Sequence, residues 1–144
     1  RDRLRSRGLG DVYKRQTKTT NRYFNYIYVR MGAHTLIHKR TEDDIWKNLF
    51  ELPLVETEKD LSEEEFLACP QFHALFAEGE VRMVRTLLRG VKHVLSHRVI
   101  YTNFYEVTLP DNSSSFSSYQ RVAVEDLDRY AVPRLIHAFL EKYV

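Results

Sequence analysis

The feature that most constrains this fold is the run Val91–Leu109, which carries the richest β-strand signal in the chain. Aromatic and β-branched side chains alternate over both of its faces, so we expect both faces to be covered in the folded chain. Nineteen residues exceed the length of an ordinary strand, and we expect a break near Ser96-His97. The run therefore predicts two strands that meet at these two residues.

Further strand signals lie on either side of this run. Residues Arg22–Met31 are rich in aromatic and β-branched side chains, and Gly32-Ala33 is typical of a tight turn. The sequence predicts that His34–Arg40 returns after this turn as the second arm of a β-hairpin. Tyr119–Val124 is a candidate for one more strand, after the polar loop 112–118.

Two helices are predicted from their starting residues. Ser62 is followed at the third position by Glu65, a capping-box pattern, and Pro70 is expected to stop the helix after Ala68. Pro133 suits the first turn of a final helix, whose apolar stripe is Leu135, Ile136, Phe139, Leu140 and Tyr143. The order of strands and helices predicts an α+β fold, a mixed β-sheet packed with helices.

The chain is long enough for one domain, and its basic character belongs to one end. It has 144 residues and a formal net charge of +2. Residues 1–16 hold six basic and two acidic residues, which leaves 16 basic and 18 acidic residues in 17–144, a net charge of −2. We interpret 1–16 as a non-native or disordered leader and 17–144 as the folded domain. Bulk charge therefore gives no argument for nucleic-acid binding.

Composition excludes several classes of protein. Cys69 is the only cysteine, so intramolecular disulfides and multi-cysteine metal sites are ruled out. Apolar runs fall well short of the roughly 20 residues that cross a bilayer, and no secretion signal is visible. We expect a cytoplasmic protein without a membrane partner.

Charge is nevertheless segregated along the domain. Residues 42–65 hold ten acidic residues and two lysines, whereas 82–98 hold five basic residues, two histidines and no acid. Such runs are usually solvated faces. A basic strand–turn–strand inside an acidic domain also suits a local phosphate contact, and charge alone does not decide between the two.

Histidines in the basic segment do not form a convincing site of their own. His93 and His97 are four residues apart in a strand and turn, without a nearby carboxylate or cysteine to complete a metal site. Ser96-His97 lacks an acid that would orient the imidazole of a hydrolase dyad. We therefore predict neither a metal ligand nor a catalytic residue here.

Five short segments follow one another in a characteristic order: His38-Lys39-Arg40, Asp44-Ile45-Trp46, Leu49-Phe50-Glu51-Leu52-Pro53, His93-Val94-Leu95-Ser96-His97 and a terminal leucine-rich helix. Together they resemble the C-terminal domain of MutY-type A/G-specific adenine DNA glycosylases, over essentially all of 17–144. The resemblance implies a Nudix-like fold that recognises 8-oxoguanine opposite adenine in base excision repair. It also implies a bacterial, cytoplasmic setting on nucleoid DNA.

The resemblance assigns lesion recognition to Leu95, Ser96 and His97. In the family this loop is an aromatic residue, then Ser or Thr, then His, so Leu95 departs from it by replacing the ring with an aliphatic wedge. The implied role of Ser96 is contact with the oxidised base through its hydroxyl or its backbone, and that of His97 is support of the loop or of the lesion strand. Lys92 and Arg98 flank the loop and are candidate contacts to the DNA backbone.

The same resemblance implies binding partners for this chain and leaves two alternative functions. The implied partners are duplex DNA containing 8-oxoguanine:adenine and the family's N-terminal catalytic domain. That catalytic domain carries an iron–sulfur cluster in the family. This fragment is expected to hold no cofactor and to have no glycosylase activity alone. A working Nudix hydrolase carries a glutamate-rich magnesium box, and residues 46–66 lack its glycines and its Arg-Glu pair. A Nudix-like nucleotide hydrolase and a Nudix-like protein-interaction module remain as alternatives.

Overall fold

The computed structural model describes residues 20–41, 44–116 and 118–144. The predicted leader 1–16 lies outside them. The strands are β1 (Thr20–Arg30), β2 (His34–Lys39), β3 (Phe50–Glu51), β4 (Leu54–Thr57), β5 (Met83–Leu95), β6 (Arg98–Thr108) and β7 (Gln120–Ala123). The helices are α1 (Glu63–Ala68), α2 (Pro70–His73) and α3 (Arg134–Tyr143), with a 3₁₀ helix at Val124–Arg129.

A four-stranded mixed sheet forms the centre of the domain, in the order β4-β1-β6-β5. β1 runs parallel to β6 along its whole length, and β4 and β5 pair antiparallel at the two edges. β5 and β6 form a long hairpin in which Leu95 lies opposite Arg98. The predicted break at Ser96-His97 is therefore confirmed, although β5 begins at Met83, eight residues before the predicted run.

The predicted tight turn at Gly32-Ala33 is confirmed, but the predicted hairpin pairing of β2 with β1 beyond that turn is wrong. Among the described residues, the two strands share a single bridge between Met31 and His34. β2 belongs to a second sheet, in the order β3-β2-β7. β1 pairs with β6 along its whole length and with β4 over residues 23–26, whereas β2 takes β3 and β7 as its partners. Gly32, at φ +61°, turns the chain away from the first sheet instead.

The central sheet is covered on both faces, as its two-sided apolar pattern predicted. Alternate residues of β1 enter opposite cores because successive strand side chains point to opposite faces. The core on the α1 and α2 side contains Ile27, Val29, Val55, Phe66, Phe72, Tyr105 and Val107. The core on the α3 side contains Phe24, Tyr26, Tyr28, Ile100, Phe104, Leu135, Ile136 and Phe139.

Both predicted helix starts are found. The Ser62 Oγ accepts the Glu65 N–H at 3.1 Å and Glu65 Oε1 accepts the Ser62 N–H at 2.9 Å, which completes the capping box of α1. Pro133 precedes α3, whose Phe139 ring stacks on Phe104 of β6 with centroids 4.1 Å apart. The predicted α+β architecture is confirmed. None of the described helices is long and apolar enough to cross a membrane.

Candidate functional site

The tip of the β5–β6 hairpin presents two residues to solvent. Ser96 and His97 are exposed, while Leu95 is half-buried and packs against the α3-side core. The His97 carbonyl oxygen accepts the backbone N–H of Thr20 at 3.1 Å. The tip is therefore held by a packed side chain below it and by the start of β1 beside it.

The two cations that flank the tip project from opposite faces of the hairpin. Arg98 lies opposite Leu95 and therefore shares its face of the hairpin, and Leu95 is three positions after Lys92, an odd offset along the strand. Since strand side chains alternate between faces, Lys92 and Arg98 are directed to different sides. They do not converge on a common point at the tip.

Arg98 is engaged by a carboxylate that the sequence analysis did not single out. Its Nη1 donates to Asp44 Oδ1 at 2.9 Å. Asp44 also binds Arg22, with Nη1–Oδ1 at 3.0 Å and Nη2–Oδ2 at 2.9 Å, and Arg40, with Nη2–Oδ2 at 3.3 Å. The hydrogen bond from Arg22, with smaller contributions from the Ile45 backbone N–H and from Arg98, holds the pKa of the Asp44 carboxyl well below its usual range. The signal available in the sequence was the Asp44-Ile45-Trp46 segment itself.

Two of the arginines that bind Asp44 also bind a second carboxylate each. Arg22 donates to both oxygens of Glu56, from Nε at 2.7 Å and from Nη2 at 2.8 Å, and these bonds raise the Arg22 pKa. Arg40 Nη1 lies 3.1 Å from each oxygen of Glu51. Both Arg40 and Glu51 are buried. Hydrogen bonds on each of these carboxylates hold the arginines in fixed geometry.

The segment that carries Asp44 packs against the hairpin through Trp46. The Trp46 backbone has φ +59°, a left-handed conformation that is strained for a bulky residue. Its ring lies edge-on to Phe24 and to His93 of β5, with centroids 6.0 and 5.9 Å apart. Arg40 Nε also donates to the Ile45 carbonyl at 3.1 Å. This turn, residues 44–48, therefore forms a fixed wall beside the hairpin.

The opposite face of the sheet carries a buried amide pair that the sequence analysis also missed. Asn103 Nδ2 donates to Asn25 Oδ1 at 3.2 Å and to Asp60 Oδ1 at 3.1 Å. Asn103 Oδ1 accepts the N–H of Gly90 at 2.8 Å, and Gly90 has φ +69° within the irregular part of β5. These bonds satisfy both amides, so the pair fixes the sheet rather than offering a binding site.

The acidic start of α1 is occupied by structural contacts. Glu65 closes the capping box with Ser62, and Glu63 Oε1 accepts the Thr86 hydroxyl at 2.7 Å. Across the part of the chain that the structure describes, no group of three or more His, Cys, Asp or Glu residues is placed to hold a metal ion. Two of the three glutamates of α1, Glu63 and Glu65, therefore already have polar partners within the domain.

Comparison with protein families agrees with this layout of sheet and helices. The model of the NUDIX domain matches residues 25–142, most of the chain. The chain belongs to the NUDIX domain family. The predicted Nudix-like fold is thereby confirmed. A search of curated proteins finds no match by sequence.

Solved structures similar to this NUDIX domain include a domain of MUTYH and several MutT proteins. The C-terminal domain of mouse MUTYH, solved in complex with human PCNA, is 15% identical with a TM-score of 0.64, over 85% of this chain and 86% of that one. The MutT protein from Methanosarcina mazei Go1 is 16% identical with a TM-score of 0.57, over 88% and 95%. A MutT NUDIX hydrolase from Burkholderia pseudomallei is 17% identical with a TM-score of 0.53, over 87% and 99%. At these identities the likeness establishes the fold.

Proposed function

We propose that this NUDIX domain recognises 8-oxoguanine opposite adenine in duplex DNA, as the C-terminal domain of a MutY-type adenine DNA glycosylase. Its partners are then lesion-containing DNA and the catalytic domain of the same enzyme. The catalytic acids and the iron–sulfur cluster belong to that other domain. The recognition step proposed here needs no metal or cofactor bound by this chain.

The observation that carries the proposal is the exposure of Ser96 and His97 on an anchored tip. 8-Oxoguanine differs from guanine by an acceptor at C8 and a donor at N7, where guanine has an acceptor. A serine hydroxyl and the backbone groups of a tight turn can both donate and accept, so they can test both atoms. Anchoring by Leu95 and by Thr20 reduces the conformational entropy that the tip would lose on binding.

The charge around the tip favours recognition over strong general affinity. Arg98 is paired with Asp44, whereas Lys92 is exposed and has no hydrogen bond or ion pair with the residues that the structure describes. General affinity for DNA comes mainly from cations that neutralise phosphates. We therefore expect weak, salt-sensitive binding to undamaged duplexes, with the lesion adding a base-specific contribution.

The proposal is tested by equilibrium binding of the whole chain to three duplexes of one sequence. These contain a central 8-oxoguanine:A, G:A or G:C pair, and binding is followed by fluorescence anisotropy at low salt. We expect the 8-oxoguanine:A duplex to bind several-fold more tightly than the other two. Equal affinity for all three duplexes would refute lesion recognition by this chain.

A nucleotide hydrolase is the first alternative, because the MutT proteins share this fold. The hydrogen bonds that engage Glu63 and Glu65 argue against it. Protein interaction is the second alternative, because the similar domain of mouse MUTYH was solved bound to human PCNA. The feature that suits it is an apolar cleft of about 370 Å³ between the 3₁₀ helix and α3. Titration of the chain with human PCNA, using a Leu140→Asp variant as control, tests that second alternative.

A further inference from the structure

We propose that Asp44 limits the non-specific DNA binding of this domain by holding Arg98 in an ion pair beside the recognition tip. The inference rests on the proposed function, since it assumes that the tip approaches duplex DNA. It adds a residue on a different segment, 51 positions before Leu95 in the chain. Asp44 acts through Arg98 and is not itself a DNA contact.

The first argument is the distribution of carboxylates among the arginines. Arg22 has Glu56 and Arg40 has Glu51 as additional partners. Arg98, within the described part of the chain, is paired with Asp44 alone. Without the Asp44 charge, Arg98 would be the one arginine of the three left with no carboxylate.

The second argument is accessibility. The Arg98 side chain is 40% exposed, whereas that of Arg22 is 18% exposed and that of Arg40 is 5% exposed. Arg98 is therefore the arginine of this cluster that a DNA phosphate can approach. Its Nη1 is directed at Asp44, which opposes a bidentate contact of the guanidinium with phosphate.

The third argument is the contrast with Lys92 on the other face of the same hairpin. Lys92 is exposed and free of ion pairs with the described residues, so it can contact phosphate without breaking a bond. With respect to the described residues, Lys92 is thus a free cation beside the tip and Arg98 a restrained one. Undamaged sites vastly outnumber lesions, so restraint on a sequence-independent contact helps the tip to remain available for lesions.

The test compares Asp44→Asn with the wild-type chain on an undamaged G:C duplex, over about 50 to 200 mM salt. Asparagine keeps the shape and an oxygen acceptor but removes the charge. We expect Asp44→Asn to bind several-fold more tightly at low salt. We also expect the slope of log affinity against log salt to steepen by about 0.9, the value for one added phosphate contact on B-DNA.

A matched control separates this effect from a simple change in net charge. Glu56 pairs with Arg22 and not with Arg98, so Glu56→Gln removes one negative charge from the same cluster and leaves the Asp44–Arg98 pair in place. We expect Glu56→Gln to stay within about twofold of wild type. The gain in Asp44→Asn should also disappear in the Asp44→Asn/Arg98→Ala double variant, because the two residues act as one unit. A persisting gain there would overturn the proposal.

A second comparison does not depend on how well Asp44→Asn folds. Lys92→Ala and Arg98→Ala each remove one cation that flanks the tip. We expect Lys92→Ala to weaken binding to the undamaged duplex several-fold, and Arg98→Ala to weaken it clearly less. Equal losses would show that Asp44 does not restrain Arg98. Failure of the wild-type chain to prefer the lesion duplex would refute the proposed function instead. The two failures are distinguishable because the variants of this subsection are all measured on undamaged DNA.

Discussion

The backbone N–H of Thr20 donates to the carbonyl oxygen of His97 at 3.1 Å, which ties the hairpin tip to the first residue of β1. Thr20 also lies opposite Arg98 in the parallel pairing of β1 with β6. The tip is therefore an extension of the central sheet rather than a free loop. Substitutions of its exposed side chains should change binding while leaving the fold intact.

Ser96→Ala should reduce the preference for 8-oxoguanine:A over G:A several-fold without abolishing it. A single hydrogen bond to a neutral partner contributes about 0.5–1.5 kcal/mol, and backbone contacts of the turn survive the substitution. The measurement is equilibrium binding of both duplexes to wild type and variant. Ser118→Ala, at an exposed serine between β6 and β7, is the control and should leave the ratio unchanged. An unchanged ratio for Ser96→Ala and for Ser96→Ala/His97→Ala would assign only a structural role to the tip.

Leu95→Phe should raise affinity for the lesion duplex. The family resemblance places an aromatic ring here, and stacking of an aromatic side chain on a base contributes roughly 1–3 kcal/mol. Leu95→Met, which conserves volume without adding a ring, is the control. If both variants bind the lesion like wild type, neither stacking nor wedging operates at this position.

Glu51→Leu should lower the free energy of unfolding by about 3–5 kcal/mol, since it leaves the buried Arg40 without its closest carboxylate. Glu51 also accepts the Tyr26 hydroxyl at 2.8 Å, and burial together with Glu51 raises the pKa of that hydroxyl. Urea unfolding measures the loss. The double variant Arg40→Met/Glu51→Leu should be more stable than Glu51→Leu, because the unpaired charge is gone. A Glu51→Leu loss below about 1 kcal/mol, typical of exposed pairs, would contradict this account.

The Asp44 ion pairs should make stability fall in acid. Since the folded-state pKa of Asp44 lies below its unfolded value, the contribution is complete above about pH 4 and is lost as pH falls through the folded pKa. The stability difference between wild type and Asp44→Asn should therefore shrink from pH 5 to pH 2. Urea unfolding of both proteins at several pH values gives this difference directly. A difference in the free energy of unfolding that stays constant over that pH range would mean that the Asp44 charge does not contribute to stability.

The chain should not hydrolyse 8-oxo-dGTP in the presence of magnesium. The reason is that Glu65 caps α1 and Glu63 binds Thr86, so these carboxylates are not gathered around a metal ion. Phosphate or pyrophosphate release is the measurement. Glu64 is the exposed glutamate between Glu63 and Glu65 in α1, and turnover that Glu64→Gln abolishes would instead establish the hydrolase alternative.

Features encoded by neighbouring residues were predictable from the sequence. The capping box at Ser62 and Glu65, the stop at Pro70 and the break at Ser96-His97 all depend on contacts within a few positions. The apolar stripe of α3 was also correct, since Leu135, Ile136 and Phe139 are buried. Periodicity identifies such a face because side chains three and four positions apart share one side of a helix.

Strand partners were not predictable in the same way. The turn at Gly32-Ala33 indicated a hairpin, but β1 pairs with β6 and β4, and β2 pairs with β3 and β7 in the second sheet. The Asp44–Arg98 pair joins residues 54 positions apart, and acidic and basic runs alone do not specify which charges meet. Assignment of Leu95, Ser96 and His97 to lesion recognition came from family resemblance and stays a prediction.

The sequence by itself determined the capped start of α1, the break at Ser96-His97, that both faces of the long strand run are covered, and that the chain has an α+β fold. Those properties follow from local hydrogen bonding and from the alternation of apolar side chains. Tertiary structure alone decided that β1 lies parallel to β6, that Lys92 and Arg98 face opposite sides, and that Asp44 reaches Arg98. These depend on which strand edges are already occupied and on contacts between distant segments, and local patterns do not specify either.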